Sequence, residues 1–220
     1  ATIKLTVLTI LPIGTVNGPV LDGDSGTAHQ SPYKDQTVAV QGVIFEKTLQ
    51  AISNSANTYK GFFIQNTAAT QDADPNTSDG LFVFMSTETA IGPYTPAVGD
   101  EIVLVGKVSE YYNMTELVSP LTVLAVVRSG VDLEAELAPV VVDPPEDLAD
   151  ANRYWERLQG MRVQSPANSI VLGGRSVFSP ADAEVWVARP DSTVALRAEP
   201  YERRAFRDAH PLDVNYDPAD

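Results

Sequence analysis

The sequence predicts a mainly β chain, with a small closed five-stranded barrel over roughly Ser31 to Arg128 and a smaller β-rich subdomain with one short helix behind it. Three observations carry that prediction. Short runs of β-branched and aromatic residues recur through the first half, separated by turn signals. No segment of that half shows a helical period. Five strands within about 95 residues suit a closed barrel, because an open sheet would leave unpaired edges.

The elements follow in order. Ile3 to Ile10 alternates and is compatible with a strand, and Gly14 to Gln30 reads as a loop, with Asp22 and Asp24 between its glycines. Gln36 to Phe45 alternates imperfectly, with Gly42 as a bulge or bend. Gly61 to Gln65, Leu81 to Met85, Ile102 to Val108 and Leu117 to Val127 complete the strand set. Turn signals lie at Ser53 to Asn57, Asp72 to Gly80, Gly92 to Gly99 and Tyr112 to Asn113. Residues 132–150 hold seven acids, no base and three prolines, the composition of a linker or of a surface connection within one domain. Leu148 to Leu158 is the helix candidate. Met161 to Gln164, Ser169 to Leu172, Val177 to Phe178, Glu184 to Ala188 and Thr193 to Arg197 read as strands, and Gly173-Gly174 as a hairpin turn. The tail, 208–220, is acidic and contains proline. The domains expected are therefore 1–30 packed on the barrel, 31–131 the barrel, 132–150 the linker, 151–207 the second subdomain, and the tail.

Composition narrows the function. The chain has 220 residues, a net charge of −14 and no cysteine, so disulfides and thiolate chemistry are excluded. Two histidines supply a catalytic triad or a histidine metal site poorly. No apolar run approaches the roughly 20 residues that span a bilayer as a helix, so no membrane span is expected. The chain begins at Ala1 without a signal segment and reads as a mature protein or a piece of a longer one. Its acidity opposes non-specific nucleic-acid binding, which Lys and Arg drive.

Gly61-Phe62-Phe63-Ile64-Gln65-Asn66, Asp72-Ala73-Asp74-Pro75-Asn76-Thr77-Ser78-Asp79-Gly80 and Leu81-Phe82-Val83-Phe84 together resemble an OB-fold-like domain. That domain precedes the catalytic domain in bacterial extracellular nucleases of the endonuclease/exonuclease/phosphatase superfamily. Gly14-Thr15-Val16-Asn17-Gly18, Val98-Gly99-Asp100 and Arg153-Tyr154-Trp155-Glu156 agree in order. The resemblance implies an OB-fold-like barrel and a secreted, extracellular protein. It implies a non-catalytic accessory module that positions nucleic acid, DNA or RNA, or the catalytic domain. That domain, a metal-dependent phosphodiesterase, would lie outside this chain, since none of its signatures is present. The alternative is a structural or interaction module, binding protein or oligosaccharide, with calcium-stabilised loops.

Three groups of residues are candidates for binding. Asp72, Asp74 and Asp79, and separately Asp22 and Asp24, offer oxygen ligands of the kind calcium takes; the same residues in the same loops also form side-chain-to-backbone turns. OB-folds bind oligonucleotides on the strand face. Phe63 and Gln65 share one face of their strand, opposite Phe62 and Ile64, and Phe82 and Phe84 oppose Leu81 and Val83. Lys60, Tyr111 and Asn113 would flank that groove. Arg153, Arg157, Arg162, Arg175, Arg189, Arg197, Arg203, Arg204 and Arg207 form the only basic stretch. They suit phosphates, a docked domain or local acids. Nothing assembles a nucleophile, a base and an oxyanion site, so catalysis is not expected of the chain itself.

Overall fold

The structure, a computed structural model, describes residues 8–23, 29–51, 58–145, 147–179 and 182–189. The chain divides into two units, 1–140 with 144–163, and 141–143 with 164–220.

The first unit is built on a mixed six-stranded sheet. Its strands are β1 (Ile10–Leu11), β2 (Thr37–Ala51), β3 (Thr58–Gln65), β4 (Gly80–Ser86), β5 (Glu101–Tyr111) and β6 (Met114–Arg128), in the order β1-β2-β3-β4-β6-β5. β2 also pairs with β5, so the pairings from β2 through β3, β4, β6 and β5 return to β2. The length of β2 allows this. Its first half, Thr37 to Val43, lies antiparallel to β5, and its second half, Val43 to Ala51, lies antiparallel to β3. β4 and β6 run parallel, through Phe82 opposite Glu116 and Val83 opposite Leu117.

Period-2 alternation sends one face of each strand inward. Val38, Val40, Ile44, Phe62, Ile64, Leu81, Val83, Ile102, Leu104, Val108 and Leu117 form the core. Phe62, Ile64 and Val83 are entirely buried, as the alternation of β3 and β4 requires. Gly42 is not the bulge. The register shift lies between Ile44 and Glu46, and a Cβ at Gly42 would stand 3.1 Å from Ile13 and 3.2 Å from the Gln65 carbonyl. The glycine lets the N-terminal segment and β3 approach.

That segment departs from the expected loop. Ile13–Asn17 is a short helix, α1, which buries Ile13 and Val16 completely. Five residues cannot form a stable helix alone; tertiary burial holds this one. The strand expected over Ile3 to Ile10 lies largely outside the described residues, which retain Ile10–Leu11. The Ser53 to Asn57 turn lies outside them too.

The acidic stretch is mostly tied into the first unit. Asp132 caps α2 (Leu133–Glu136), accepting from the N–H groups of Glu134 and Ala135. Arg128 joins buried Glu101 to Glu136. Arg162 donates to the carbonyls of Leu133 and Leu137, 2.7 Å each. Such a contact satisfies carbonyls that a helix end leaves free. After β7 (Val140–Val141) comes α3 (Leu148–Glu156), capped by Asp147, which accepts from the N–H groups of Ala149 and Asp150. The strand expected over Met161 to Gln164 is reduced to β8 (Val163–Gln164).

The second unit contains an antiparallel pair, β9 (Ile170–Ser179) and β10 (Asp182–Ala188). Gly173-Gly174 is not a turn. β9 runs through it, with Leu172 opposite Trp186 and Ser176 opposite Glu184, so three β9 residues face one on β10. The glycine pair supplies that irregularity, as glycine does at bulges. The strand expected over Thr193 to Arg197, and the tail, lie outside the described residues.

Candidate functional site

The outward face of β3 and β4 carries the aromatic residues expected there. Phe63 lies between Phe45 and Phe82, with ring centroids 5.9 and 4.8 Å apart and interplanar angles of 32° and 45°. Offset aromatic contacts at such separations are favourable beyond the area they bury.

This face is not open. The segment after α3, residues 157–163, crosses it as a strap. Ser78 Oγ donates to the Gln159 carbonyl at 2.5 Å, and the Thr115 N–H donates to Gln159 Oε1 at 2.8 Å. Gln159 Nε2 donates to the Asn113 carbonyl at 2.9 Å. The Arg162 N–H donates to Gln65 Oε1 at 2.8 Å. Gly80 and Gly160 meet backbone to backbone, since a Cβ at Gly80 would lie 2.2 Å from Gly160 C and O. Beside the strap a groove of about 410 Å³ remains, lined by Phe45, Phe63, Trp155, Leu158, Met161 and Val163 among others.

The structure thus brings Phe63, Phe82 and Gln65 together, with Phe82 and Gln65 buried at 9% and 6% exposure. Asn113 meets the strap through its carbonyl. Lys60 is turned to the Thr87 carbonyl at 3.2 Å, and Phe84 is half-buried. Tyr111 lies at the end of β5 against Tyr112, their rings 4.7 Å apart at 85°. Sequence reasoning missed Phe45, Trp155, Leu158 and Met161 as groove residues. A tryptophan half-exposed on a helix was the available signal for Trp155.

Among the described residues, the arginines of the basic stretch bond carbonyls or acids. Arg153 pairs with Asp150. Arg157 donates through Nε and Nη2 to the Val20 carbonyl at 3.1 and 2.8 Å, and stands 3.6 Å from Asp22. Arg162 adds Glu134 to its carbonyl partners, and Arg189 pairs with Asp143 in the second unit. A guanidinium so engaged must give up these bonds to contact a phosphate. Arg197, Arg203, Arg204 and Arg207, and the side chain of Arg175, lie outside what the structure describes.

The Asp72 to Gly80 loop is held by its own side chains. Asp72 Oδ1 accepts from the Asp74 N–H at 3.1 Å and from Thr77 Oγ1 at 2.9 Å. Asp74 Oδ1 accepts from the Asn76 N–H at 2.9 Å. These are Asx-type turns. Gly14 presses on the loop: its Cβ would lie 2.5 Å from both Asp72 Oδ2 and Thr77 Oγ1. Asn17 Nδ2 donates to the carbonyls of Ser78 and Gly80 at 2.6 and 2.8 Å. Asp79 between them is pushed up to about 6, by burial and then by the charge of Asp72. Its Oδ1 is buried without a hydrogen-bond partner. Asp22 lies with Arg157, and Asp24 falls outside the described residues. Among the described residues, no group of three or more His, Cys, Asp or Glu side chains gathers so as to hold a metal ion. No helix among them is long and apolar enough to cross a membrane.

No family model matches the chain, and no curated protein matches it.

Proposed function

We propose that this chain is a non-catalytic accessory module of a secreted, metal-dependent nuclease, an OB-fold-like barrel that docks the parent protein's catalytic domain at its aromatic groove. The carrying observation is the groove itself. It is lined by Phe45, Phe63, Trp155, Leu158 and Met161 and lies on the face where such barrels bind ligands. Its lining suits apolar and aromatic side chains, the usual anchors of a protein interface. Three features favour a protein over a nucleic acid as the occupant. The chain's net charge is −14. Arg153, Arg157 and Arg162 are bonded within their own unit. The strap occupies the sheet surface on which successive bases would stack. The closed ring of pairings with its one parallel contact, β4 on β6, supports the barrel reading.

Calorimetric titration of the chain with the separately produced catalytic domain of its parent is the test. Binding in the micromolar range is expected, and Trp155→Ala is expected to weaken it about tenfold or more. Equal binding by Trp155→Ala, or no binding by the wild-type chain, overturns the docking role.

The reading includes a calcium-stabilised loop at Asp72 and Asp79. Two carboxylates in one loop whose charges repel, one with a buried unpartnered oxygen, are relieved by a cation. Millimolar calcium is expected to raise the melting temperature of the wild-type chain and to leave Asp79→Asn unchanged, because an ion that binds only the folded state stabilises it. No rise in the wild type removes the site.

A further inference from the structure

The groove beside the strap is not wholly apolar, because Glu46 shares its wall with Phe45, Phe63 and Trp155. The irregularity in β2 puts it there. Val43 turns away from the main core, against Val131 and Leu137. Alternation then sends Phe45 the same way and would send Glu46 inward. The bulge between Ile44 and Glu46 changes this: Glu46 stands across from Phe63, and Lys47 across from fully buried Phe62. Bulges re-aim side chains in this way. Two successive residues, one aromatic and one acidic, therefore face the same groove.

The Glu46 carboxylate is not matched by a cation. Among the described residues it enters no ion pair. Its Oε1 accepts from the Lys47 N–H at 3.0 Å, and the residue is exposed. The basic side chains adjoining the groove in sequence are engaged elsewhere. Lys47 Nζ donates to the Pro96 carbonyl at 3.1 Å. Arg157 is turned to Val20 and Asp22, and Arg162 to Leu133, Leu137 and Glu134. Trp155 is 44% exposed, with the Tyr154 ring set against it at 79° and 5.4 Å between centroids.

We propose that the groove is a guanidinium site, which seats an arginine side chain of the partner it docks. The guanidinium plane stacks on the aromatic wall, where tryptophan attracts a cation most strongly. Its N–H groups donate in a pair to the Glu46 carboxylate. Its methylene stem covers Leu158 and Met161. A lysine ammonium, compact and strongly hydrated, neither stacks nor pairs in this way. The groove's volume of about 410 Å³ lies within the ~300–1,000 Å³ of ligand pockets. The chain's net charge of −14 favours a partner surface that carries bases. The partner's identity rests on the docking role; the groove's preference for a guanidinium does not.

Titration with acetyl-Gly-Arg-Gly-amide at low salt tests it, followed through the Trp155 indole N–H resonance. Saturable binding at millimolar concentration is expected. The peptides with citrulline or lysine in place of arginine are expected to bind about tenfold and about threefold more weakly. Glu46→Gln is expected to weaken the arginine peptide about fivefold with its melting temperature unchanged, since the side chain is exposed. No saturation up to about 50 mM, equal binding of the arginine and citrulline peptides, or full binding by Glu46→Gln overturns the site. The two readings fail separately. If the catalytic domain binds Glu46→Gln as well as wild type while Trp155→Ala loses it, the docking role stands and the guanidinium site falls. If the arginine peptide behaves as expected and the domain does not bind, the site stands and the docking role falls.

Discussion

Gly80→Ala is expected to drive the strap off the sheet while leaving the strands in place. The added methyl would stand 2.2 Å from Gly160 C and O and 2.5 Å from the Met161 nitrogen. These are backbone atoms, so no rotamer change relieves the clash. One side must move, and the two sides are unequally anchored. Gly80 opens β4, which is paired to β3 through six residues and to β6 at its centre. On the sheet itself the strap is held by single hydrogen bonds to Ser78, Asn113, Thr115 and Gln65, while Arg157 and Arg162 tether its two ends to Val20 and to Leu133, Leu137 and Glu134. Overpacking of this kind costs about 1–3 kcal/mol, enough to undo the bonds to the sheet between those tethers. Gly160→Ala should act in the same direction, because Gly160 has φ 69° and its Cβ would lie 3.1 Å from the Leu81 nitrogen. Hydrogen exchange over 155–163 reads the outcome. Wild-type protection in Gly80→Ala would contradict the close contact.

Phe62 and Phe63 are neighbours of the same type, and their alanine variants are expected to differ sharply. Phe62 is fully buried among the core residues of β2, β4 and β5. Truncating a buried phenylalanine costs about 3–5 kcal/mol in lost burial and residual cavity. Against a typical domain stability of about 5–15 kcal/mol, Phe62→Ala should lower the melting temperature by roughly 10 °C or more. Phe63 is half-buried and gives up its contacts with Phe45 and Phe82. Phe63→Ala should cost about 1–2 kcal/mol and impair the groove instead. Equal destabilisation by the two variants would mean that β3 does not present them to opposite sides.

That contrast was legible in the sequence, because alternation along Gly61 to Gln65 assigns Phe62 and Phe63 to opposite faces without knowledge of the partner strands. The five strands of the closed ring were legible for the same reason. Their lengths were not. β2 and β6 each run 15 residues and each serve two neighbours, and the bulge between Ile44 and Glu46 breaks the period midway. Helix α1 was hidden by its length and by Gly14, which reads as loop but admits Asp72 and Thr77. Gly173-Gly174 looked like a turn because backbone freedom serves a bulge as well as a hairpin. The strap left least trace. Its contacts join residues 81 and 97 positions apart through single side chains and a glycine pair, and no local pattern encodes them. The same holds for Arg157, whose partner carbonyl lies 137 residues away. Of the basic stretch, the described Arg153, Arg157, Arg162 and Arg189 are tethers within their own units.

On the proposed reading, the aromatic face serves a protein partner and the chain's own strap closes it to nucleic acid. The decisive measurement is fluorescence anisotropy of a labelled single-stranded oligonucleotide at low salt. No binding by the wild-type chain is expected up to about 100 µM, well above the range of a dedicated single-strand binder. Salt-sensitive binding at micromolar concentration, weakened by Phe63→Ala, would contradict it and return the face to nucleic acid.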